Sequence, residues 1–205
     1  MAAVRPAGIP AVVFDYGGVL TGPPFERVGE FEAQNGLPRG IIMNLFDGPE
    51  WLDLYVGKGS VREWMISLGR RIQADHGVRI NLRELGVLMA GDGPTHDMIE
   101  TIAELHERGI TLGILTNNVQ DVAWRDMVPA QLLDVVVDSS EVGLVKPDPA
   151  IYELLLEKLG RPAPEVAYFD DLEENIPPAR ALGINAFVFT DAAQCRKELE
   201  ALGAL

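Results

Sequence analysis

Residues 12–20 read VVFDYGGVL: a run of β-formers, Val12, Val13 and Phe14, cut off at Asp15 by glycines that break a strand. A continuous apolar run of this kind suits a strand buried on both faces of a parallel sheet. Asp15 then falls at the strand's carboxyl end. Ligands bind along that edge of an open α/β sheet, so an acid placed there is a nucleophile, a metal ligand or a helix cap.

Further strands are predicted at Ile110 to Leu115, Asp134 to Asp138, Val166 to Asp170 and Asn185 to Thr190, besides the first at Ala11 to Phe14. Helical periodicity separates the later ones: Met98, Ile99, Ile102 and Leu105 share one face, as do Ile151, Leu154, Leu155 and Leu159. Strand alternating with helix predicts an α/β fold, a Rossmann-like, mostly parallel sheet with helices on both faces.

About ninety-five residues separate Phe14 from Ile110, far more than one crossover helix needs. Phe25, Val28 and Phe31 suggest a helix, and Pro38 suits a first helical residue ahead of Ile41, Ile42 and Leu45. Ser60 with Glu63, and Asn81 with Glu84, resemble capping boxes opening two more apolar stripes. The expected organisation is an α/β core of residues 1–21 and 93–205, with a helical-bundle cap at 22–92 inserted after the first strand. The cap holds 8 basic and 10 acidic residues against 9 and 21 in the remainder, so its arginines, Arg27, Arg39, Arg62, Arg70, Arg71, Arg79 and Arg83, are available to face an anion.

A formal charge of −14 over 205 residues argues against duplex nucleic acid or an anionic membrane as partner, since both need basic surface. The lone Cys195, in what reads as a surface helix, permits no internal disulfide and suits a reducing compartment. The opening MAAVRPAGIP has too short an apolar stretch for a signal peptide, and no run reaches the ~18 apolar residues of a membrane span. The expectation is a soluble cytoplasmic protein, a monomer or homodimer.

Three later stretches repeat the situation of Asp15. ILGILTNN ends a strand at Thr116 with Asn117 beyond, VGLVKPDPAIY places Lys146 just before a helix, and VAYFDDLEENI ends a strand at Asp170 and Asp171. Taken singly, each has a plain structural reading as turn, cap or surface residue. In a parallel sheet all four meet along one edge. Gathered carboxylates repel unless a cation neutralises them, and an oxygen-only donor set suits Mg²⁺. A metal with Lys146 and Thr116 beside it suits a transferring phosphoryl group, with Asp15 available as nucleophile.

FDYGGVL, ILTNN, GLVKPDPAIY and FDDLEENI resemble, in order, the four motifs of the haloacid dehalogenase superfamily, most of whose members are Mg²⁺-dependent phosphatases. SSEVGLVKPDPAIYELLLEKL, on through PARALG, is similar to the N-terminal phosphatase domain of soluble epoxide hydrolases. The resemblance implies that Asp15 forms an aspartyl-phosphate and also binds the metal. It implies that Thr116 and the backbone of Asn117 hold phosphate oxygens, that Lys146 offsets charge, and that the metal is ligated by Asp171, by Asp170 directly or through water, and by the main-chain carbonyl of Gly17. It implies a mobile cap and a small phosphorylated substrate.

Gly17 is also a departure, because the family usually carries there a second aspartate, the general acid and base. Its loss removes a contribution of roughly 10²- to 10⁴-fold. Strand periodicity places residues 15 and 17 on one side, so Tyr16 is expected to face away. This leaves activated leaving groups, such as acyl or anomeric phosphates, or an acid recruited from the cap. Two alternatives stand beside the phosphatase: a phosphate-ligand binding protein impaired in turnover, and a metal-free 2-haloacid dehalogenase. Phosphonate cleavage through a Schiff base is disfavoured, because the only insertion lysine, Lys58, reads as an exposed turn.

Overall fold

A computed structural model describes residues 8–23, 26–46, 48–120 and 124–205. Five strands, β1 (Ala11–Phe14), β2 (Thr111–Thr116), β3 (Val135–Asp138), β4 (Val166–Asp170) and β5 (Asn185–Val188), form one parallel sheet in the order β3-β2-β1-β4-β5. The predicted strands are all present. β2 runs one residue later than expected, because Ile110 N donates to Leu105 O to close the preceding helix; β3 starts one residue later and β5 stops two earlier.

β1 is central and wholly buried, and its alternation feeds two cores. Val12 and Phe14 pack with Met98, Ile102 and Leu105 of α5 (His96–Glu107) and with Cys195 and Leu199 of α9 (Ala192–Ala201). Ala11 and Val13 pack on the other face with Ile151, Tyr152 and Leu155 of α7 (Pro149–Leu159) and with Ile176 and Ala179 at α8 (Ile176–Ala181). Helices thus cover both faces, as the sequence predicts. Cys195 corrects one expectation: it lies on a helix but is fully buried, one turn from Leu199 on the same apolar stripe, and burial pushes its thiol up to about 12.

Between β1 and β2 the chain forms α1 (Glu26–Gln34), α2 (Pro49–Tyr55), α3 (Val61–His76) and α4 (Leu82–Ala90), with an apolar cluster of their own around Phe31, Trp51, Trp64, Leu68, Ile72 and Leu85. Thr21 and Pro94 pair as an isolated antiparallel bridge where this segment leaves and returns. Phe25, expected in α1, lies outside the described residues. Pro38 does not open a helix; Pro49 does, at the first turn of α2. The reason is Glu32, fully buried, whose carboxylate accepts backbone N–H groups of Gly40 (2.7 Å), Ile42 (2.6 Å) and Met43 (3.4 Å) and holds residues 40–43 in a turn. Asn81 caps α4 by accepting from Glu84 N, whereas Ser60 occupies the cap position of α3 without a side-chain capping bond. Among the described residues no helix is long and apolar enough to cross a membrane.

Candidate functional site

Strand order places the ends of β1 and β4 side by side, with β2 on the far side of β1. The order turns at this point, since β1 is followed by β2 on one flank while β4 and β5 extend the other, which leaves a crevice at the carboxyl ends. Asp15 sits just past β1, its main-chain N–H donating to Phe169 O of β4 (2.9 Å). Asp170 ends β4 and Asp171 follows. Carboxylate oxygens of Asp15, Asp170 and Asp171 lie within 4.8 Å of one another.

Lys146 lies between two of them. Its Nζ is 3.0 Å from Asp15 Oδ2 and 2.7 Å from Asp170 Oδ2, and its side chain is 1% exposed. Asn117 delivers it: the amide oxygen accepts from Lys146 N (2.9 Å) and the amide nitrogen donates to Lys146 O (3.0 Å), clamping that backbone to the end of β2. Thr116, the last residue of β2, is buried beside it. The four sequence clusters therefore meet at one edge.

The charges are unequal. Burial, with Asp170 and Asp171 nearby, pushes Asp15 up to about 7 despite Lys146. Burial also raises Asp171, with Asp170 adding to it. For Asp170 burial is outweighed by Lys146 and by hydrogen bonds from Tyr168 and Asn175, which hold it below the usual carboxylate range. Burial disfavours the Lys146 ammonium, but Asp15 and Asp170 reverse this and raise its pKa. A desolvated cluster of three acids and one cation is short of positive charge. An oxygen-only set this close fits a hard divalent cation such as Mg²⁺.

Tyr16 points away from the site, for a reason other than strand alternation. β1 ends at Phe14, and Leu20 N and Thr21 N both donate to Tyr16 O in a tight turn. The Tyr16 ring packs on Trp124 (4.9 Å between centroids) and its hydroxyl donates to Met127 Sδ (3.4 Å). Lys58 is exposed, as expected. Among the described residues, Arg27 pairs with Asp92, Arg71 with Glu50 and Arg79 with Gln73, all within their own segment.

Several residues at the edge escaped the motif-based reading. Gly18 has φ +76°, and a Cβ there would stand 2.1 Å from Asp171 Oδ2, so only glycine lets the first loop approach the last acid. Its signal was the second glycine of FDYGGVL. Asp138 at the end of β3 accepts from Trp124 Nε1 (2.9 Å) and Ser140 N (3.0 Å), while Ser139 Oγ accepts from Asn118 N (3.0 Å), bracing the loop beyond Asn117. Asn175 and Tyr168 both hydrogen-bond Asp170.

Comparison with known proteins agrees with this fold. A family model described as haloacid dehalogenase-like hydrolase matches residues 9–183. Phosphatase MT3486 of Mycobacterium tuberculosis is 32% identical over 212 residues, spanning 96% of either chain. Bifunctional epoxide hydrolase 2 of Rattus norvegicus is 28% identical over 91% of this chain, which spans 37% of that protein. Acyl-CoA dehydrogenase family member 10 of Mus musculus is 30% identical over 94% of this chain, which spans 19% of it. In three dimensions, a HAD family enzyme of Bacteroides thetaiotaomicron crystallised with magnesium superposes with a TM-score of 0.69 at 22% identity, covering 89% of this chain and 94% of that one.

Proposed function

The chain belongs to the haloacid dehalogenase-like hydrolases, and we propose that within this family it is a Mg²⁺-dependent phosphatase of small phosphorylated metabolites. The observation that carries the reading is the meeting of Asp15, Asp170 and Asp171 within 4.8 Å, with Lys146 bridging the first two. Asp15, Asp171 and the main-chain carbonyl of Gly17 are the groups that would hold the ion, with Asp170, already engaged by four donors, contributing its charge from behind them. When bound, Mg²⁺ supplies charge to the phosphoryl oxygens and lowers the pKa of the carboxylates around it.

Asp15 attacks phosphorus in line with the leaving oxygen and becomes an aspartyl-phosphate, which water then hydrolyses to return the carboxylate and inorganic phosphate. Lys146 offsets the charge shared by nucleophile and phosphoryl group, and Thr116 with the main chain of Asn117 binds its peripheral oxygens. Residues 22–92 act as the cap that excludes water and selects the leaving group. Gly17 offers no acid, and the phenol of Tyr16 is committed to Met127. Leaving groups that need little protonation, such as acyl, anomeric or phenolic phosphates, therefore turn over fastest. The partner is a small phosphorylated molecule rather than nucleic acid or membrane.

The test is hydrolysis of a series of phenolic phosphates with and without Mg²⁺. Activity should require the ion, rise steeply as the leaving-group pKa falls, and vanish in Asp15→Asn. Turnover surviving in Asp15→Asn would rule out the covalent route. The alternative of a 2-haloacid dehalogenase is disfavoured by the same carboxylates, which that metal-free chemistry does not need. Halide release in the presence of chelator would restore it, and binding of phosphate esters without any turnover would favour the impaired binding protein.

A further inference from the structure

We propose that Tyr168 is a positioning residue that keeps Lys146 shared between Asp15 and Asp170, and that Asp170 serves as the anchor of this lysine. The proposal rests on reading Lys146 as the charge-offsetting group of the phosphatase site.

Asp170 is fully buried and its acceptor capacity is used up. Oδ1 accepts from Leu172 N (2.9 Å) and Asn175 Nδ2 (2.9 Å). Oδ2 accepts from Lys146 Nζ (2.7 Å) and from the Tyr168 hydroxyl. A carboxylate offers about four lone-pair sites, and four donors occupy them. An ammonium has three N–H groups; Asp15 and Asp170 take two, leaving one for a phosphate oxygen.

Tyr168 sets this division. Its hydroxyl occupies half of Asp170 Oδ2, so that oxygen does not depend on the ammonium alone. Without the hydroxyl, a charged oxygen in a water-excluded interior would be short of a donor, a costly state relieved only by drawing Nζ closer. Lys146 would then move off Asp15. The phenol is held for this role: residues 168 and 170 lie on one side of β4, and the Tyr168 ring packs edge-on against Tyr152 at 5.9 Å. Tyr152 in turn donates to the main-chain oxygen of Asn175 (2.8 Å), fixing the residue that grips Oδ1. A phenol is protonated at neutral pH, so Tyr168 is a donor to Asp170. The ring alone would fill the core equally well as phenylalanine.

Tyr168→Phe tests the proposal through two readouts. In metal-free protein labelled with ¹⁵N-lysine, the Lys146 ammonium resonance, assigned by its loss in Lys146→Arg, should shift in the variant. With saturating Mg²⁺ and a phenolic phosphate, kcat should fall about tenfold or more, with KM changed by no more than about twofold. A folded variant with an unmoved resonance and an unchanged kcat overturns the proposal. If Tyr168→Phe does not fold, Tyr152→Phe should move the same resonance by less, and an unmoved signal there overturns it equally. If the wild-type chain hydrolyses no phosphate ester, the phosphatase reading fails, while the ammonium resonance still decides the role of Tyr168.

Discussion

A carboxylate at the end of a buried strand is costly to ionise unless a cation accepts its charge, and Asp15 shows which way the balance falls. Its pKa, ordinarily 3.8, stands at about 7, with burial the leading cause, Lys146 opposing it and Asp170 and Asp171 adding to it. The sign of the stability effect follows. Between pH ~4 and ~7 the folded, metal-free protein holds a proton that the unfolded chain has released, so stability falls by a few kcal/mol as pH rises through that window. Asp171 is shifted the same way, whereas the lowered Asp170 acts only in more acidic solution. Mg²⁺ needs the ionised acid, so its stabilising effect should grow as pH climbs past 7. Melting temperatures from pH 5 to 8.5, with and without Mg²⁺, would show the two curves diverging; a metal-free curve that rises with pH, or divergence retained in Asp15→Asn, contradicts the account. The position of Asp15 was legible from VVFDYGG, but its pKa was not, because the neighbours that set it come from β4 and from the segment around Lys146.

At the scale of elements, the helices with regular apolar spacing were legible and the irregular connection between α1 and α2 was not. α3 forms where Trp64, Met65, Leu68 and Ile72 recur on one face. Pro38 misled because a proline suits any first turn, whereas the path of residues 40–43 is set by a carboxylate eight to eleven residues earlier in the chain. Glu32 satisfies three backbone N–H groups from inside the apolar cluster. Glu32→Ala should therefore destabilise the protein by roughly 2–4 kcal/mol, since buried donors lose their acceptor. Urea unfolding measures it, and a loss below about 0.5 kcal/mol, the level of an ordinary surface change, would show that water replaces the carboxylate.

At the scale of the molecule, the seating of the helical segment on the sheet edge passes through Gly57. Its φ is +74°, and a Cβ there would lie 2.2 Å from the main-chain oxygen of Ser140, two residues past the buried Asp138. Val119, just beyond Asn118, joins the apolar cluster of that segment. Gly57→Ala should lift the segment off the edge and lower kcat/KM by about tenfold to 10²-fold, as displacements near 1 Å do. Unchanged kinetics toward a phenolic phosphate would show that this contact does not set the closed geometry. The strands, the burial of β1 and the candidate acids, lysine and threonine at strand ends were legible in the sequence alone, because periodicity and strand-breaking glycines are local properties of the chain, whereas the strand order β3-β2-β1-β4-β5 was not. What only the tertiary structure decided is how the charges are shared: that Asn117 clamps Lys146, that four donors enclose Asp170, and that Gly18 must lack a side chain for Asp171 to approach. Each of these joins residues distant in the chain, and electrostatics in a water-excluded crevice depends on distances that no local pattern encodes.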